Sequence, residues 1–111
     1  MYRRRHRHGQ RGRMPKPVWL GVIPPITGLD PVGTQGKPDP VYLEPDELEA
    51  MRLVDLEGLS QEEAGERMGV SRGTVWRLLQ SARRKTAQAL SEGRPIRIGT
   101  PLQQTCLEEN A

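Results

Sequence analysis

Four residues, Met68-Gly69-Val70-Ser71, join two stretches of strong helical periodicity and leave almost no room for a loop. Upstream, Ser60-Gln61-Glu62-Glu63 forms an S-x-x-E capping box, in which each side chain satisfies a backbone N–H orphaned at a helix start. Ala64 and Met68 then share one face, and Gly69 supplies the left-handed conformation that stops a helix without a Cβ clash. Downstream, Ser71 is an N-cap. The apolar stripe Val75, Leu78, Leu79, Ala82, Thr86, Ala89 and Leu90 runs from it to a second glycine stop at Gly93. So short a connection swings the second helix sharply across the first. Ala64 and Gly65 are small enough for close approach, and Met68, Val70, Val75 and Leu78 form the plug between them. The spacing predicts a helix-turn-helix.

An earlier helix is expected from Glu44-Pro45-Asp46-Glu47, where proline suits the first helical position and acids favour the positive end of the dipole. Its apolar face carries Leu48, Met51, Leu53 and Val54, and Gly58 ends it. Short strands are expected at 18–23, 41–43 and 95–98. The chain thus divides into a disordered basic tail (1–17), a Pro/Gly-rich arm (18–43), a helical domain (44–99) and a polar C-terminal tail (100–111). The predicted fold is mainly α, a three-helix helix-turn-helix domain with short flanking strands. Phe is absent and Gly and Pro number 12 and 10 of 111 residues, so the core is small and a dimer would help it.

Charge is sorted along the chain. Residues 1–16 hold seven Lys/Arg and no acid, and residues 39–66 hold ten acids against Arg52 alone. Residues 71–97 return to a net +6. Such sorting points to a polyanion, nucleic acid first, with a solvated tail and helix face as the plain alternative.

In a helix-turn-helix the second helix lays its N-terminal half in the major groove. The outward positions there are Arg72, Gly73, Trp76, Arg77 and Gln80. Arginine suits guanine or a phosphate and glutamine suits adenine, while Ser71 caps the helix and can donate to a phosphate. Arg77 has three readings: base contact, phosphate contact, or ion pair with the acidic helices. Trp76 either touches DNA or packs beneath residues 18–43 or at a dimer contact, with packing favoured. Arg83, Arg84 and Lys85 lie further along, where phosphate contact is expected, against a merely solvated face. The helix spans about 20 residues, roughly 30 Å, more than one groove crossing needs, so its second half is available for a dimer seam or for the 95–98 strand.

Other chemistry is poorly served. There is no Gly-rich phosphate loop, no nucleophile–base pair and no metal-ligand cluster, so neither an enzyme nor a cofactor is expected. The carboxylates of 44–66 are expected at helix starts and on exposed faces. Cys106 is the sole cysteine, and His6 and His8 read as part of the tail. The apolar run VWLGVIPPI is too short for a membrane span and is broken by two prolines, which points to a cytoplasmic protein without membrane partners.

The stretch DELEAMRLVDLEGLSQEEAGERMGVSRGTVWRLLQSARRKTAQALSEG (46–93) resembles a prokaryotic family of small predicted DNA-binding proteins. PKP (15–17), VYL (41–43) and PIRI (95–98) extend the resemblance to about residues 15–99. It implies a helix-turn-helix similar to region four of sigma factors, with Ser71, Arg72, Thr74 and Arg77 as the DNA-facing signature. By its position Thr74 turns partly inward, as a capping partner. Two departures matter: Gly73 stands where relatives often carry a polar side chain, and the N-terminal cysteines of many relatives are missing. The expected function is a sequence-specific transcription regulator on double-stranded DNA, with RNA polymerase as a further contact. The alternative is a protein–protein interaction module docking on the transcription machinery through its acidic helices.

Overall fold

The computed structural model describes residues 2–5, 17–33 and 39–99. His6, His8, Cys106 and the C-terminal tail lie outside the described residues. The fold is mostly α with short strands: β1 (Tyr2–Arg5), β2 (Pro17–Leu20), β3 (Gly28–Leu29), β4 (Val41–Leu43), α1 (Pro45–Met51), α2 (Gln61–Met68), α3 (Arg72–Glu92) and β5 (Ile96–Ile98).

The punctuation of the helices follows their sequence. Pro45 opens α1, and the Glu44 N–H donates to Glu47 Oε1 at 2.8 Å. Beyond Met51 the helix widens to a π-helical turn over Arg52–Leu56, with Glu57 N–H donating to the Arg52 carbonyl at 2.9 Å. Ser60 and Glu63 close the capping box of α2 reciprocally, at 3.0 and 3.1 Å. Gly69 (φ 70°) ends α2 in the left-handed region, where a side chain costs about 1–2 kcal/mol.

Two apolar clusters hold these elements together. Val18 and Leu20 of β2 reach under the helices to join Ala50, Leu53, Ala64, Met68, Val75 and Leu78. Leu43, Ala82 and Ile98 form the second cluster, flanked by Leu48, Met51 and Ile96. It ties the later half of α3 to a three-stranded sheet in which β5 lies between β3 and β4, antiparallel to the first and parallel to the second. No helix among the described residues is long and apolar enough to cross a membrane.

Four expectations need correction. Residues 2–5, assigned to a disordered tail, form β1, antiparallel to β2 with Arg3 opposite Trp19. Backbone pairing with a distant strand leaves no trace in an arginine-rich composition. Leu90, assigned to the buried stripe, is 78% exposed. It sits about 60° round the helix from Val75, on the side opposite Leu78 and beyond Leu79 at about 40°, so it falls just past the edge of the buried stripe. The strand expected over 18–23 stops at Leu20, before the Pro24-Pro25 pair. Finally, the acids of α1 are not on an exposed face: Asp46, Glu47 and Glu49 are all buried.

Candidate nucleic-acid interface

The turn between α2 and α3 is built by close approach. A Cβ on Gly65 would lie 2.8 Å from the Val70 carbonyl oxygen, and the Gly65 carbonyl accepts from Val70 N–H at 3.0 Å. Outside the turn sits Trp19, whose Cδ1 would be 2.9 Å from a Cβ at Gly69. Sequence reasoning missed Trp19. It sits in the Pro/Gly-rich arm, and only the β2 alternation (buried Val18 and Leu20, exposed Trp19) could have assigned it to the outer face.

Ser71 then starts α3. Its Oγ accepts from Thr74 N–H at 3.1 Å and lies 3.0 Å from Thr74 Oγ1. Thr74 is half-buried, as a capping partner should be, and its hydroxyl also receives a long contact of 3.4 Å from the Arg77 guanidinium. Ser71, Arg72, Gly73, Trp76, Arg77 and Gln80 are exposed. At about 100° per residue, positions 72, 76 and 80 fall within about a quarter turn, with 73 and 77 on the adjoining edge. Trp76 is 52% exposed, so it does not pack beneath residues 18–43; Trp19 occupies the ground beside the turn instead. Gly73 leaves open space, since a Cβ there would meet only Ser71 Oγ, at 3.9 Å.

The three basic residues further along divide. Arg83 forks onto Asp55, with Nε and Nη2 at 3.1 and 2.6 Å from the two carboxylate oxygens. That hydrogen bonding, opposed by a smaller desolvation effect and helped by charge attraction, holds the Asp55 carboxyl below its ordinary 3.8 and raises Arg83. Lys85 Nζ donates to Glu47 Oε1 at 2.8 Å, and Ser81 Oγ donates to the other oxygen of the same carboxylate. Arg84 is exposed, and among the described residues no carboxylate pairs with it. Of the expected contact residues, Lys85 is therefore turned against the first helix, while Arg83 continues the Trp76 stripe, about 20° from it, with its charge met by Asp55.

The buried acids explain themselves by their partners. Glu49 accepts the Gly21 N–H at 2.7 Å and both Nε and Nη2 of Arg52, at 3.0 and 2.9 Å. This fastens the arm to the helical block and, led by the Glu49 hydrogen bond, raises the Arg52 pKa. Glu47 joins the cap of α1 to the middle of α3.

Against known proteins, residues 1–102 match the family described as protein of unknown function DUF134. The chain belongs to this family. It is 56% identical over 82 residues to a UPF0251 protein of Thermococcus kodakarensis, covering 71% of this chain and 72% of the relative. A UPF0251 protein of Pyrococcus abyssi is 54% identical over 77 residues (69% and 63%), and one of Pyrococcus furiosus 51% over 90 residues (79% and 83%). No solved structure matches. Membership of an archaeal and bacterial family is thus shown.

Proposed function

We propose that this protein is a sequence-specific regulator that binds double-stranded DNA, with α2 and α3 acting as a helix-turn-helix and the first turns of α3 entering the major groove. One observation carries the reading. Arg72, Trp76, Arg77 and Gln80 share an exposed face that starts at a capped helix terminus, and among the described residues no carboxylate neutralises Arg72 or Arg77. A cation left unpaired at a helix start, beside a tryptophan and an amide, suits both base edges and phosphates. The basic strand β1 supports it, because β2 anchors it beside the turn rather than leaving it a free arm.

The acidic-module alternative is weakened. Three of the acids it relied on are buried, and Asp55, Glu57 and Glu63 are engaged by Arg83, Arg52 and the α2 cap, which leaves Glu62 and Glu66 on α2 as exposed carboxylates for such docking.

Selection from a random duplex pool tests the proposal. A recurring sequence bound at least about 10³-fold better than bulk duplex supports it, whereas enrichment of no sequence reduces it to non-specific charge binding. Replacing Arg3, Arg4 and Arg5 by Ser should lower the slope of log K against log salt by up to about 3. The preferred sequence should not change. Loss of preference with an unchanged slope would reverse the roles given to β1 and α3.

A further inference from the structure

Further along α3, on the stripe that continues from Arg77 through Ser81, Arg84 and Gln88, a cleft of about 430 Å³ opens between the helix and β4. Its polar lining is Tyr42, Ser81, Arg84, Lys85, Gln88 and Arg94, all donors, although Ser81 has already given its one hydrogen to Glu47. Two of its cations are fixed in place. Lys85 is anchored on Glu47, and Arg94 donates through Nε to the Asp39 carbonyl at 2.7 Å and through Nη1 to Glu92 at 3.2 Å. Each keeps donors to spare, since a lysine has three N–H groups and an arginine five. Arg84 faces the same cleft with no carboxylate partner among the described residues. Prearranged cations, surplus donors and a tyrosine wall suit an anion, and the volume lies in the small-molecule range of about 300–1,000 Å³.

We propose that this cleft binds a phosphate-bearing small molecule of mononucleotide size, its phosphate held by Arg84, Lys85 and Arg94. DNA docked on the first turns of α3, up to Gln80, leaves open a cleft whose α3 residues begin at Ser81. Arg84 lies two turns beyond Arg77, about 10 Å along the axis, on the border between the two surfaces. An occupant takes up Arg84 and brings negative charge beside the DNA backbone, so occupancy weakens DNA binding. Only this coupling rests on the DNA reading; the site itself does not.

The test uses the full chain, calorimetry, and inorganic phosphate, AMP and citrate as probes. AMP should bind saturably and more tightly than phosphate, and citrate more weakly than AMP. Arg84→Ala should weaken AMP at least about tenfold without changing the melting temperature of the free protein. Arg77→Ala should bind AMP as the unchanged chain does. No saturation by AMP or phosphate up to about 10 mM, citrate binding as tight as AMP, or indifference to Arg84→Ala overturns the site. At matched ionic strength, saturating AMP should then weaken the selected duplex in the unchanged protein and not in Arg84→Ala. AMP binding without that change overturns the coupling. AMP binding by a protein that selects no duplex overturns the DNA reading while the site stands.

Discussion

The two halves of α3 carry similar charge and do different things with it. From Arg72 to Gln80 the cations point away from the domain, and no carboxylate among the described residues meets them. From Ser81 to Lys85, two of three cations and a hydroxyl are committed to Asp55 and Glu47 of the first helical segment. Basic composition alone does not make a nucleic-acid surface. What decides is whether the fold supplies the counter-charge itself.

Removing the counter-charge in the later half should give the largest effect. Glu47→Ala strands the Glu44 N–H, Ser81 Oγ and Lys85 Nζ around a buried site. It should cost about 2–4 kcal/mol in urea denaturation, and Glu47→Gln less, because an acceptor oxygen remains. The preferred duplex should be unchanged. Altered preference would mean that the later half also reads DNA.

In the first half the pattern should invert. Arg77→Ala should weaken the selected duplex by about 1–3 kcal/mol if Arg77 contacts a base, with the denaturation midpoint untouched. A stability loss with full DNA affinity would make Arg77 structural and erase the contrast.

Gly73 sharpens the same comparison. A Cβ there meets nothing close, so Gly73→Ala should raise stability by up to about 1 kcal/mol through helix propensity alone. Equilibrium unfolding would show it. A loss instead would mean that this face is already packed against something.

The smallest effect belongs to Asp55 and Arg83, an exposed pair at 39% and 45%. Its carboxyl titrates lower in the folded chain than in the unfolded one. The pair's contribution is therefore present above the ordinary 3.8 and fades as pH falls through the lowered folded value. Asp55→Asn should differ slightly from the unchanged protein near neutrality and low salt, with the gap closing in acid and in high salt. A gap that widens in acid would contradict the pairing.

Legibility in the sequence tracked the range of each interaction. The caps at Ser60 and Ser71 and the stop at Gly69 are set within three or four residues, and the structure bears them out. Basic composition points Lys85 toward DNA, whereas Leu78, Ser81 and Lys85 lie along one side of the helix, a pattern that turns it toward α1. Its partner Glu47 is 38 residues away, and composition does not report that distance. The same holds for Glu49, buried by a backbone N–H 28 residues upstream, and for β3, whose two residues are too few for any periodicity. Trp19 and Tyr42 leave little sign of their roles in the sequence, because those roles exist only once the arm has folded against the helices.

The most direct measurement is the change in backbone amide resonances of the full chain on titration with the selected duplex. The largest shifts should fall between Gly69 and Gln80, with smaller ones in β1 and Trp19, and α1 should stay still. Shifts centred on α1, Arg83 and Lys85 with Arg72–Gln80 silent would contradict the account.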